Sequence, residues 1–296
     1  AAEKAKEERM EIKTDAIVLR AADYKDADKI LTLLTPSAGK LTAGIKGVKR
    51  SGAKLAFSAQ PFAFCEYVLA QKGGRYTVTS AYLHDGFFPL RTNITRYYAA
   101  CAAIEIADEL SAEGAENESL FIAAAQALRS LAYAEETESA AETLCAFLLT
   151  ALFEAGYMID LDGCGACGRE IEENQACYFD FSGGRFLCGS CGAAAGGANE
   201  NLVRASAKTY DFLRKISGIS CENPQKTADF PPNFKEKPLK IEEKTVKIEE
   251  KTPKIEEKPS KNDAELRALR LLKTYLSKKT ERDYPCFTEF YRLYRD

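Results

Sequence analysis

Two hydrophobic periods divide the chain. From about residue 11 to 85, apolar side chains recur mostly at every second position. Thr14–Leu19, Lys29–Thr35, Lys40–Val48, Pro61–Ala70 and Arg75–Tyr82 each read as strands. Pro36-Ser37-Ala38-Gly39 and Gly73-Gly74 supply turn residues between them. Five short strands in about 75 residues predict a small barrel.

From about residue 93 the period becomes 3.6. Asn93 can cap a helix to Leu110, with Ile94, Tyr97, Tyr98, Cys101 and Ile104 on one face. Leu120–Tyr133 is a second helix. Glu138–Ala155 is a third, with a stripe of Leu144, Phe147, Leu148, Ala151 and Leu152, and Gly156 is suited to end it. Leu202–Ile216 and Ala264–Lys279 return to helix, the latter with Leu266, Leu269, Leu272 and Leu276 as its stripe. Between them, 223–262 is rich in Lys, Glu and Pro and repeats one heptad: LKIEEKT at 239, VKIEEKT at 246, PKIEEKP at 253. Each copy offers one Ile, and Pro238, Pro253 and Pro259 break helices. A coiled coil is therefore disfavoured, and a disordered insertion is expected.

The resulting expectation is an α+β multidomain chain. Residues 1–9 are an extension and 10–88 a barrel. Residues 89–160, 193–222 and 263–296 form a helical domain. A Cys-rich ribbon at 161–192 and the insertion at 223–262 interrupt it.

Composition narrows the chemistry. The chain has 296 residues, 46% of them hydrophobic, enough to bury a core. Its 41 Lys plus Arg against 44 Asp plus Glu give a net charge of −3, so any electropositive surface must be local. His84 is the single histidine, which excludes HExxH proteases and most His-ligated metal sites and leaves His84 a structural role. Ala1–Met10 is charged and lacks an apolar centre, so no secretory signal is expected. No run of about 18 apolar residues exists, so no membrane span is expected either. For a cytoplasmic chain, ten cysteines then suggest metal or free thiols rather than a disulfide framework.

Four of the cysteines carry a strong pattern. Cys164-Gly-Ala-Cys167-Gly is followed after twenty residues by Cys188-Gly-Ser-Cys191-Gly. A two-residue spacing lets one tight turn aim both thiolates at one ion, and two such knuckles complete a four-cysteine shell. Tyr178–Phe181 and Arg185–Leu187 around Ser182-Gly183-Gly184 fit a hairpin between them. The expectation is a zinc ribbon holding one Zn2+. A closed thiolate shell leaves no place for water, so the role is structural. Redox-active pairs and free thiols are the weaker alternatives. Cys177 is a spare, and Cys65, Cys101, Cys145, Cys221 and Cys286 read as ordinary thiols.

The other pattern is charge. Lys40, Lys46, Lys49, Arg50 and Lys54 fall within fifteen residues that contain no acid. A cationic strand and loop on a small barrel suit a phosphate backbone, although a solvated loop would read the same way. Tyr24, Phe57, Tyr67 and Tyr76 could stack bases, but aromatics on short strands are more often core. Gly44-Ile-Lys-Gly47 spells a KH loop but lies between strand patterns.

The combination resembles the bacterial DNA repair protein RecO family. Ala16–Leu19, Tyr24–Ile30, Thr32–Thr35, Gly39–Leu41, Lys46-Gly47, Lys54 and Gln60–Phe62 are similar to its opening signature, and Ala155–Leu161 with the four cysteines to its zinc-bearing members. The resemblance implies an N-terminal oligonucleotide-binding (OB-fold) barrel followed by an α-helical domain interrupted by a four-cysteine zinc ribbon. It implies a non-enzymatic recombination mediator, cytoplasmic and nucleoid-associated. Such a mediator binds single- and double-stranded DNA and anneals complementary strands. With RecR and the acidic C-terminal tail of single-stranded-DNA-binding protein, it helps load the recombinase at gaps. By position, Lys40, Lys46, Lys49, Arg50 and Lys54 become the DNA contacts. An acidic tail would meet the helical domain near cations such as Lys273 or Lys278. Two departures stand out: Arg282–Phe290 is less basic than the matching segment of many relatives, and the Lys/Glu repeat has no counterpart. The competing class is a zinc-ribbon protein-interaction adaptor that does not bind DNA. No P-loop, GxSxG or dinucleotide motif supports an enzyme.

Overall fold

A computed structural model describes residues 10–221 and 263–295, apart from 134, 136–138, 173–174 and 197–199. The extension at 1–9 and the insertion at 223–262 lie outside the described residues.

Strand β1 (Met10–Tyr24) is long because it serves two partners. It pairs antiparallel with β4 (Phe64–Lys72) over Met10–Ile17 and with β2 (Asp28–Thr35) over Ile17–Tyr24. A bulge between Val18 and Arg20 turns it from one to the other. Strand β3 (Gly39–Ile45) pairs with β2 and, in parallel, with β5 (Arg75–Asp85). The order β1-β2-β3-β5-β4 closes on itself as an OB-fold barrel. Strand β3 ends at Ile45, three residues short of the predicted Val48, because Gly47 and Lys49 turn their amides to Asp28 and Ala27. Alternation then sorts the side chains: Leu41, Ala43 and Ile45 point inward with Leu31, Leu33, Tyr67, Leu69 and Val78.

The helical part is built around α1 (Ile94–Leu110), whose cap Asn93 accepts the Arg96 amide. Of the predicted stripe, Ile104 is buried and Tyr97, Tyr98 and Cys101 pack on the core, and one member is corrected. Ile94 is exposed, while Ala99, Ala100, Ala102, Ala103, Ile104, Ile106 and Ala107 are all buried. Alanine is small enough to let helices approach from several sides, so α1 is central rather than one-faced. It packs against α2 (Glu118–Tyr133), α3 (Ala140–Glu154, capped by Ser139) and α7 (Pro285–Arg295). Helix α7 goes beyond the last helix that the periodicity suggested. Pro285 opens it, and Phe287 and Phe290 are its buried anchors.

The Cys-rich segment folds as β6 (Ala176–Asp180), β7 (Arg185–Cys188) and the short α4 (Gly189–Ala195). The predicted helix from Leu202 is overturned in its first turn. Leu202–Ser206 is strand β8, which pairs antiparallel with β6 and makes the hairpin a three-stranded sheet. Helix α5 (Ala207–Cys221) begins only after it and, with α6 (Asp263–Thr280), completes the bundle. Phe179, Phe181 and Phe186 of the ribbon join the same apolar cluster as α1–α3 and α5–α7.

Gly39 joins barrel to helices. Its φ is +56°, and a Cβ there would lie 2.2 Å from the Ala115 carbonyl oxygen. That absent side chain lets the Lys40 amide donate to Ala112 O, and Gly114 N to Ala38 O.

Candidate metal centre and nucleic-acid interface

The two knuckles converge. The sulfurs of Cys164, Cys167, Cys188 and Cys191 all lie within 4.8 Å of one another. A tetrahedral ion with arms of ~2.3 Å spaces its sulfurs ~3.8 Å apart, and Cys167 Sγ and Cys188 Sγ are 3.8 Å apart. The Cys188 knuckle sits at the end of β7 and the Cys164 knuckle in a turn before β6, and the two are wired through the backbone: the Cys188 amide donates to Cys164 Sγ at 3.3 Å, and the Gly165 amide to Phe186 O at 2.9 Å. Gly192 is required for closeness, since a Cβ there would meet the Tyr178 ring at 2.1 Å.

The local dipoles favour thiolates. Burial pushes the Cys164 thiol up, but amide hydrogen bonds from Cys188, Ala166 and Cys167 bring it below its ordinary value. The Ser190 hydroxyl and the Cys191 amide lower Cys188 to about 6, while Cys191, beside Cys167 and Cys188, is pushed up to about 12. Four sulfurs that crowd one another and receive N–H donors are suited to a cation at their centre. The set can hold a metal ion. Behind it, Asp180 Oδ1 accepts from the Ser182 amide and hydroxyl and Asp180 Oδ2 from Arg185, which fixes the hairpin turn. Cys177 is buried within β6, paired across the strands with Cys188, and is not one of the four converging sulfurs.

The five barrel cations are not equivalent. Lys46, Arg50 and Lys54 are exposed and form no ion pair with a described residue. Lys49 is exposed too, but its ammonium lies 2.8 Å from Asp23 Oδ2. Lys40 points elsewhere: half-buried, it donates to the Asp108 carbonyl at 2.6 Å and pairs with Asp108 Oδ1 at 3.2 Å. Arg20 shares that carboxylate at 2.8 Å. Lys40 thus braces the barrel on the end of α1, while the loop after β3 presents the other four. Asp28 accepts the Gly47 amide at 2.7 Å and so shapes the loop.

Of the aromatic candidates, Tyr67 is fully buried with its hydroxyl on Ser58 O, and Phe57 and Tyr76 are half-buried. Tyr24 is exposed at the tip of the β1–β2 hairpin under the Lys25 ammonium. His84 is half-buried at the barrel edge: Nε2 lies 2.8 Å from Asp15 Oδ1 and its ring packs on Phe64. Sequence reasoning missed Asp108, 68 residues from Lys40, for which no spacing gives a signal. It also missed Asp23, beside the Tyr24–Ile30 signature.

Comparison with known proteins agrees with this architecture. Residues 10–87 match the family model "Recombination protein O N terminal", and residues 91–242 match "Recombination protein O C terminal". The chain belongs to the RecO family. It is 32% identical to the DNA repair protein RecO of Anaeromyxobacter dehalogenans over 70% of this chain and 80% of that one. It is 29% identical to the RecO of Desulforamulus reducens over 73% of this chain and 84% of the relative, and 29% to that of Moorella thermoacetica over 69% and 74%. The RecO relatives are named as DNA repair proteins. The barrel falls in the first matched region, and helices α1–α5 with the four-cysteine ribbon fall in the second. Among the described residues, no helix is long and apolar enough to cross a membrane.

Proposed function

We propose that this chain is a non-catalytic recombination mediator. It binds single- and double-stranded DNA, anneals complementary strands and helps load the recombinase at gaps, acting with RecR and with the acidic tail of single-stranded-DNA-binding protein, in the cytoplasm on the nucleoid. The observation that carries the reading is an OB-fold barrel whose loop after β3 exposes Lys46, Lys49, Arg50 and Lys54 in a chain of net charge −3. Lys40 supports that strand from behind through Asp108. Backbone charge carries little base information, so sequence preference is weak. The four-cysteine ribbon holds one Zn2+ in a structural role, its thiolates leaving no open position for water.

The test is titration of a fluorescent single-stranded oligonucleotide at two salt concentrations, with metal content measured. Affinity should weaken steeply with salt, by a log–log slope of about 0.7 per phosphate contact. The variant Lys46→Ala/Arg50→Ala/Lys54→Ala should flatten that slope. An unchanged slope, or no binding at low salt, overturns the assignment and favours a protein-interaction adaptor.

A further inference from the structure

The tip of the β1–β2 hairpin and the basic loop after β3 are built as one edge of the barrel. Tyr24, the last residue of β1, pairs with Asp28 of β2, and Lys29 pairs with Ile45, the last residue of β3. The next step of that register sets Lys46 beside Asp28. Tyr24, Asp28 and Lys46 therefore follow one another across three strands, at about 4.8 Å per step. Three bonds tie the two segments together. The Gly47 amide donates to Asp28 Oδ1 at 2.7 Å, the Lys49 amide to Ala27 O at 3.0 Å, and the Lys49 ammonium to Asp23 Oδ2 at 2.8 Å. Ile45 is buried in the barrel, whereas Lys46 and Tyr24 are exposed. A ring and a cation thus stand near each other on the outer side of the sheet, on a hairpin and a loop held in fixed relation.

The charges around the ring decide which part of a nucleotide can meet it. Lys25 Nζ rests over the ring, 5.2 Å from its centroid, and Tyr24 still keeps 47% of its surface open to solvent. Asp23, Asp26 and Asp28 all lie within four residues of Tyr24. Their carboxylates repel a phosphate at the hairpin tip. A base carries no charge, so the acids do not oppose it, and any base has a face that stacks on an aromatic ring. The phosphates on either side of that base then fall to Lys46, Arg50 and Lys54 on the adjoining loop. In a duplex the base faces are already stacked on one another and out of reach of a ring on a hairpin tip. In a single strand they are open.

We propose that Tyr24 stacks on a base of the bound strand and thereby favours single-stranded over duplex DNA, while the loop cations grip the backbone of either. The inference rests on the DNA reading above and deepens it, by naming the side chain that senses unpaired bases. It gives no base preference of its own, because stacking tolerates every base.

The experiment compares three ligands of equal length on the full chain: oligothymidylate, a phosphodiester oligomer of abasic units, and a duplex. The first two carry the same backbone charge and differ only in having bases. The wild type should bind thymidylate at least about fivefold more tightly than the abasic oligomer, the worth of one stacked base. Tyr24→Leu should bring the two within about twofold of each other, since only the stack is lost. Its Tm, its duplex affinity and its salt slope on thymidylate should match the wild type. Tyr24→Phe, which keeps the ring, should keep the preference for thymidylate. A preference that survives Tyr24→Leu overturns the proposal and leaves the DNA reading standing. Equal wild-type binding of thymidylate and abasic oligomer, both weakened by salt, does the same. A fall in affinity for all three ligands alike in Tyr24→Leu also overturns it, because the ring would then only support the loop. Failure of the wild type to bind any of the three at low salt overturns the DNA reading and the proposal together.

Discussion

The cysteine knuckles of the ribbon and the basic loop of the barrel are both short irregular segments beside a sheet, but they are held in opposite ways. The loop sits on a complete apolar core: Leu31, Leu33, Leu41, Ala43, Ile45, Val48, Tyr67 and Leu69 are all buried beneath it. Backbone bonds such as Lys49 N to Ala27 O fix its course without help from its charges. The knuckles have almost no core of their own. Only Cys164, Leu187 and Cys188 form a buried cluster there, with Tyr178, Cys191 and Leu202 at its edge. In the ribbon, the four converging sulfurs leave the place of a core to the cation proposed for them. In the barrel the structure is made first, and Lys46, Arg50 and Lys54 are left without an ion pair among the described residues. Substitutions should therefore separate stability from binding cleanly between the two regions.

The largest effect is expected in the ribbon. Cys164→Ser, or treatment with a chelator, takes away the ion proposed for the four sulfurs within 4.8 Å of one another. We expect a loss of roughly 3–5 kcal/mol and a fall in Tm of roughly 10 °C for a chain of this size. Oligonucleotide affinity at a temperature where the variant is folded should stay within about twofold, because the loop does not depend on the ribbon. A metal-free chain with unchanged Tm would break the comparison.

Next is the joint between the two regions. Gly39→Ala places a methyl group 2.2 Å from the Ala115 carbonyl at a φ of +56°. A cost of about 2–3 kcal/mol is expected, from strain and from displaced backbone bonds. Differential scanning calorimetry checks it. A variant as stable as the parent would mean that the loop at 112–115 moves aside freely.

A smaller contrast lies within the basic stretch itself. Lys40→Gln leaves the half-buried Asp108 with Arg20 alone, and should cost about 1 kcal/mol with little change in oligonucleotide affinity. Lys46→Gln should leave Tm unchanged and remove about 0.7 from the salt slope. If the two variants behave alike, the division between bracing and presenting cations is wrong.

That division also marks what could be read from the linear chain. The CxxC spacing specified the cysteine cluster because two residues between thiols nearly determine where both sulfurs point. Strand alternation and the cap Asn93 located most elements for the same local reason. Non-local pairing could not be read. Leu202–Ser206 carries a helix-compatible pattern but becomes a strand because β6 offers it an open edge. Ile94 fits the helical stripe of α1, yet it is the alanines that are buried, since neighbours on several sides select for small residues. Lys40 looked like its four cationic neighbours until Asp108, brought by α1, turned it inward.

The smallest predicted effect probes the one cation between the two classes. Lys49 is exposed like Lys46, yet it donates to Asp23 as Lys40 does to Asp108. The Lys49 hydrogen bond, with Lys29 nearby, holds the Asp23 carboxyl below its ordinary value, so Asp23 stays ionised at neutral pH and competes with any phosphate for Lys49. Both groups are well exposed, and an ion pair in such a setting adds little to stability. Asp23→Asn should accordingly leave Tm where it is. It removes the competitor, so oligonucleotide affinity should rise about two- to threefold, and the salt slope should steepen by up to ~0.7 as Lys49 turns to a phosphate. Fluorescence anisotropy at neutral pH and low salt reads both changes. Unaltered affinity would place Lys49 with Lys40, as a cation spent on shaping the loop, and would leave Lys46, Arg50 and Lys54 as the loop's only contacts.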